Sequence, residues 1–143
     1  MSPLGDLERI ARDLIEAFDI QSPPIPVETM LQEPRTGMFE SVDLNDASIG
    51  FFVTGDSSDY SPMMYMARLL ARQLARSPWG IERRLEPLIR ERNHLLAFAR
   101  MIVMPLHMIE QLSEKSPSPE QLSSHFEVPL SEATARLNDL LVY

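Results

Sequence analysis

The chain has no cysteine among its 143 residues. That excludes disulfides, a thiol nucleophile and thiolate-held metal, leaving three histidines and the carboxylates as conventional ligands. It also suits a reducing compartment. Glycine is scarce, five residues with none clustered, so there is no glycine-rich phosphate loop, and no G-x-S-x-G elbow occurs. No apolar run approaches the ~18 residues of a membrane helix. The opening MSPLGDLERIARDL carries acidic groups where a secretory leader needs a basic start. The expectation is a cytoplasmic chain that does not enter a membrane. No repeat with a period of roughly 20–50 residues is visible, so residues 1–143 are expected to form one domain.

What is present is charge, unevenly placed. The formal net charge is −8, yet residues 1–60 hold 3 basic and 12 acidic side chains, and residues 61–100 hold 8 and 3. Residues 101–143 return to 2 and 6. The centre is an arginine island, which either neutralises acidic neighbours within the fold or faces an anionic partner.

Leu4, Leu7, Ile10, Ala11, Leu14, Ile15 and Phe18 recur at helical spacing, predicting an amphipathic helix over 4–18 with Glu8, Asp13 and Glu16 outside. The prolines of SPPIPVE (22–28) end it, and VETMLQE reads as a short helical turn. GMFESVDL (37–44) and ASIGFFVTG (47–55), separated by Asn45–Asp46, read as two strands of a hairpin. From 63 onward the pattern is helical: a helix over 63–77, a break at SPWG (77–80), and a long helix over 81–104 ending at Met104–Pro105. A short helix in LHMIEQL, a linker at KSPSP (115–119) and a closing pair over 119–125 and 130–141 complete the chain. The fold class expected is α+β, an N-terminal helix and a small antiparallel sheet followed by a helical half.

Within LLARQLAR (69–76), Arg68, Arg72 and Arg76 stack on one ridge at i, i+4 and i+8, and Ala67, Ala71 and Ala75 form a stripe that admits a close neighbour. Gln73 falls in the apolar sector, which predicts a buried amide with hydrogen-bond partners. The layout parallels the zinc-peptidase motif HExxH, with arginine at both histidine positions and an amide at the general-base position.

Three further stretches resemble the ImmA/IrrE-type metallopeptidase family. These are PPIPVETML (23–31), LAFARMIVMP (96–105) with Phe98, Ala99, Met104 and Pro105 matching the end of the family's second active-site helix, and PEQLSSHFEVPLSEATARL (119–137), similar to its closing helical pair. LLARQLAR occupies the place of the family's L-A-H-E-L-G-H, and the likeness runs in order over about residues 7–140. The resemblance implies a zincin-like domain whose residues 119–141 form a helix-turn-helix-like pair. It also implies a cleft that grips helix-turn-helix regulators. The family's third ligand falls nearest His94, with Glu91 one turn earlier. The carried-over chemistry then fails at each position. Arg72 and Arg76 have no lone pair for a metal, and Gln73 cannot relay a proton.

The resemblance therefore implies a chain that is not an enzyme, has no cofactor or metal, and acts by binding a protein partner, such as a helix-turn-helix regulator or a second copy of itself. The degenerate cleft would comprise Arg68, Arg72, Gln73, Arg76, Glu91 and His94, with Arg72 or Arg76 paired to Glu91, Glu86 or an acid from residues 1–60. The alternatives are an arginine-lined site for a small anion or nucleotide and a purely structural or dimeric subunit. Histidines 94, 107 and 125 lie on three different elements, which reads as three surface side chains rather than a metal site. Direct DNA binding by the closing pair is not expected, because residues 117–143 set Glu120, Glu127, Glu132 and Asp139 against Arg136 alone.

Overall fold

The computed structural model describes residues 2–43, 61–112 and 116–142. Nine helices occur among them and no strand. In chain order they are α1 (Pro3–Ala17), α2 (Val27–Gln32), α3 (Pro62–Arg76), α4 (Pro78–Glu82), α5 (Leu85–Ile89), α6 (Arg92–Val103), α7 (Leu106–Glu110), α8 (Pro119–Phe126) and α9 (Leu130–Val142).

Serine followed by proline starts several of them. Ser2, Ser61, Ser77 and Ser118 each accept a backbone N–H with the side-chain oxygen, and a proline whose missing N–H is not needed occupies the first turn. Ser118 and Gln121 complete a reciprocal capping box, and Glu127 ends α8 in the left-handed region at φ 57°.

Helix α6 is the centre of the core. It packs on α1, α3, α5 and α9, and Phe98, Ala99, Met101, Ile102 and Val103 are fully buried. A helix buried on several sides needs apolar residues around most of its circumference, which LAFARMIV supplies. The stripe Ala67, Ala71 and Ala75 is buried where α3 meets its neighbours. At the end of α3, Ser77 closes one helix and opens the next, folding α4 back on it.

Three expectations are corrected. The fold is all-α among the described residues, not α+β with an antiparallel sheet. Residues 37–43 form no strand, because their backbone groups bond elsewhere. Val42 donates to the Leu31 carbonyl at 2.9 Å, and the Gly37 carbonyl accepts from the Trp79 N–H at 2.9 Å. The Ser41 hydroxyl adds a bond to the Gln32 carbonyl at 2.6 Å, so the segment is a loop fastened to α2 and α4. The second expected strand, 47–55, and its turn at Asn45–Asp46 lie outside the described residues.

Next, the long helix over 81–104 is broken into α4, α5 and α6. Pro87 lacks the N–H an unbroken helix would use and its ring would strike the carbonyl one turn back. The chain turns instead through Arg84 at φ 56° and again at the extended Glu91.

Last, Glu8 is not on the outer face of α1 but buried, 9% exposed, against the fully buried Arg136 of α9. The guanidinium donates from Nη1 to Oε2 and from Nη2 to Oε1 at 2.8 Å, and its Nε donates to the Met104 carbonyl at 3.0 Å. The closing pair is further held by Arg100, which forks onto Asp139 at 3.0 and 3.2 Å, and by Arg68, which reaches Glu132 at 3.1 Å. Leu122, Phe126, Val128 and Ala133 form its small core.

No helix among the described residues is long and apolar enough to cross a membrane.

Candidate functional site

The arginine island divides in two. Of the eight arginines between residues 61 and 100, four are engaged within the fold: Arg68 and Arg100 with α9, Arg83 with Asp13 at 3.3 Å, and Arg90 with Glu86. The other four, Arg72, Arg76, Arg84 and Arg92, have no carboxylate within 4.0 Å among the described residues.

Three of these unpaired groups converge. Arg72 and Arg76 from α3, Arg90 from the end of α5 and Arg92 from the start of α6 line one open cavity of about 320 Å³, together with Glu86. Its remaining lining is apolar: Ala75, Ile89 and Leu95. The placement follows from local structure. The i, i+4 spacing puts Arg72 and Arg76 on one ridge of α3, and the break at Glu91 lets α6 start beside that ridge with Arg92 as its first residue. The first turn of α6 carries no side-chain cap, so its free amide ends add positive partial charge.

Among the described residues, Glu86 is the one acid in the cavity lining. Arg90 donates to both of its oxygens, from Nε at 3.2 Å and from Nη2 more closely. The hydrogen bond from Arg90 holds the Glu86 carboxyl below its ordinary 4.5, with the guanidinium charge assisting and desolvation opposing. The expected pairing of Arg72 or Arg76 with Glu86, Glu91 or an acid from residues 1–60 is not formed among the described residues, and Asp46, Asp56 and Asp59 lie outside them. Glu86 has a partner four residues along its own helical path, and that local geometry prevails.

The other expected site residues separate. Arg68 turns toward α9 instead of the cavity. Gln73 is partly exposed rather than buried, and its amide has no hydrogen-bond partner among the described residues. Glu91 is exposed, 3.8 Å from His94, while half-buried His94 faces the Leu88 carbonyl through Nδ1 at 3.2 Å. Neither lines the cavity. Arg90 and Arg92 do, although they stand outside the expected site. Their signal in the sequence was the charge count of residues 61–100, which marks the island without saying which members are left unpaired.

A second pocket, about 260 Å³, lies between α1 and α7, lined by Glu8, Arg9, Arg12, Leu106, His107 and Glu110. The His107 Nδ1 is buried there with no hydrogen-bond partner among the described residues. Burial first, and then the Arg12 charge, lower the His107 pKa from its ordinary 6.5, against a smaller raising effect of Glu16 and Glu110. His107 is thus not the plain surface histidine expected. A lowered pKa means the unfolded chain binds the proton more readily. Stability contributed by neutral His107 is complete above pH 6.5 and is lost as pH falls from 6.5 toward the folded value. Titration of the imidazole by NMR is expected to give a midpoint below 6.5, and a midpoint at or above it rules this environment out.

Among the described residues no three histidine, aspartate or glutamate side chains come together as a metal-holding group. No family model, curated protein or solved structure matches the chain. The chemistry of the groove therefore rests on its own side chains, and apart from Glu86 its polar groups are donors: planar guanidinium groups that can grip carboxylate or phosphoryl oxygens in pairs.

Proposed function

We propose that this chain is a pseudopeptidase of the ImmA/IrrE kind. It is a cytoplasmic binding protein, without metal or proteolytic activity, that holds an acidic segment of a protein partner, foremost a helix-turn-helix regulator, in the arginine groove. One observation carries this reading. The two side chains at the histidine positions, Arg72 and Arg76, line a cavity and have no carboxylate within 4.0 Å among the described residues. A guanidinium offers no lone pair to a metal at any accessible pH, but it forks onto carboxylates. Support also comes from the packing. The stretches that resemble the family fold together, with α2 on α3, α3 on α6, and α9 on α6. Burial of Arg136, the one base of the closing pair, removes it from any phosphate backbone.

The test uses the purified full chain and a fluorescent, glutamate-rich peptide. Binding is expected to weaken steeply with salt, and Arg72→Glu with Arg76→Glu should reduce affinity by roughly tenfold or more, by the strength of charge-assisted pairs. Melting temperature should hardly change, since both side chains are exposed. Unchanged affinity in the double variant, or about one zinc per chain surviving dialysis by elemental analysis, overturns the proposal.

A further inference from the structure

The groove carries more positive charge than a single carboxylate can offset. Four guanidinium groups face one Glu86, and three of the four have no acid within 4.0 Å among the described residues. Like charges gathered around one concavity repel one another. A carboxylate ligand presents one negative charge and two oxygens, and one arginine fork satisfies it. A phosphoryl group presents about −1.5 to −2 charge and three strong acceptor oxygens, which matches several donors converging from different elements. Here those donors come from α3, the end of α5 and the start of α6. The apolar floor of Ala75, Ile89 and Leu95 has no use for a bare inorganic ion, but it can cover the carbon body that carries the phosphoryl group. The cavity of about 320 Å³ is at the small end of ligand pockets.

Glu86 gives the site a second property. Its carboxylate sits among the arginines and takes both forked bonds of Arg90, the place an incoming anion would occupy. Both side chains are largely exposed and only four residues apart, the setting in which ion pairs contribute least. The internal pair is thus easily opened by a ligand of higher charge.

We propose that the groove is a phosphoryl-binding site for an organic phosphate, with Glu86 as a built-in competitor that occupies Arg90 until the phosphoryl group displaces it. This deepens the proposed binding function and rests on it. The phosphoryl group could be borne by a phosphorylated residue of a protein partner or by a free organic phosphate, and the experiment separates the two.

The probes are phenyl phosphate, benzoate, phosphoserine blocked at both ends, and a ten-residue peptide with and without phosphoserine. All are titrated calorimetrically into the full chain. Phenyl phosphate should bind at least about tenfold more tightly than benzoate, from its extra charge and third oxygen. Glu86→Gln should tighten phenyl phosphate by roughly three- to tenfold, since it removes the competitor and leaves Arg90 free. Arg72→Gln with Arg76→Gln should weaken it by about tenfold or more. A phosphopeptide that binds more tightly than blocked phosphoserine points to a protein-borne group, and equal affinities point to a free organic phosphate. Either result agrees with the proposal.

Equal affinity for benzoate and phenyl phosphate overturns the phosphoryl assignment, and unchanged or weaker binding in Glu86→Gln overturns the competitor. If the unphosphorylated acidic peptide still binds through Arg72 and Arg76 in those cases, the broader binding function stands without the phosphoryl assignment. If no anion binds, both fall. Glu86 is at the surface, so circular dichroism and the melting temperature of Glu86→Gln serve as the check that only the site has changed.

Discussion

Replacing Arg136 by methionine should cost about 3–5 kcal/mol of stability. Arg136 is fully buried and makes two hydrogen bonds to Glu8 of α1 and one to the Met104 carbonyl at the end of α6. Its loss takes both forked bonds from a carboxylate with little access to water and unties the closing helical pair from the first helix. Glu8→Leu should be comparably damaging, because it leaves a buried guanidinium instead. The double variant, Glu8→Leu with Arg136→Met, should lose far less than the two single losses added together, since burying two apolar side chains creates no uncompensated charge. Urea denaturation of the four proteins measures the coupling. Additive losses would mean that the pair does not act as a unit. In a domain whose total stability is about 5–15 kcal/mol, the single variants stand near the limit of folding, so the double variant keeps the test readable.

Gly80→Ala is the second large effect. A Cβ at residue 80 would lie 1.9 Å from the Leu74 carbonyl oxygen and 2.7 Å from its carbon. Both are backbone atoms of α3, and neither can swing aside as a side chain would. Helix α4 must move away, breaking the seal at Ser77, whose hydroxyl donates to the Leu74 carbonyl at 2.7 Å and accepts the Gly80 N–H at 3.1 Å. A loss of about 3 kcal/mol is expected, or roughly 10 °C in Tm for a domain of this size. Since α4 leads from α3 into α5, the shift should also disturb the groove between Arg76 and Ile89 and weaken anion binding. A variant as stable as the parent would mean that α4 does not lie on the end of α3.

The helices were legible where their causes are local. Apolar residues at 7, 10, 11, 14 and 15 and the stop at Met104–Pro105 act over one or two turns, and the observed boundaries follow them, whereas SPWG, expected as a break, also starts α4 at Pro78 under the Ser77 cap. The aromatic and β-branched stretch at 37–43 misled, because strand propensity reports only a fit to a half-buried pleated surface. The chain there satisfied its backbone through Leu31 and Trp79 instead. The helix expected over 81–104 is interrupted instead, with Pro87 inside the run and the backbone turning at Arg84 and Glu91.

Part of the candidate site was legible too. The i, i+4 spacing of Arg72 and Arg76 is enough to place them on one ridge, and both line the cavity. Arg68 stands on the same ridge one turn earlier, yet Glu132, 64 positions distant in sequence, draws it toward α9. Glu91 and His94 were placed by resemblance, and the turn at Glu91 leaves them off the cavity lining.

By itself the sequence determined the helical segments whose periodicity and stops are local, that one stretch concentrates arginine, and that Arg72, Gln73 and Arg76 cannot do the work of two metal ligands and a base. Those properties follow from side-chain chemistry and from periodicity along a single helix. Only the tertiary structure decided which arginines are neutralised, that Arg90 and Arg92 join Arg72 and Arg76 around one cavity, and that Glu8 and Arg136 form the buried tie between the first and last helices. The Glu8–Arg136 contact joins residues 128 apart, and its partners are chosen by how packed helices meet. No local pattern records that choice, since a charged residue on a helix looks the same whether the opposite surface is water or another helix.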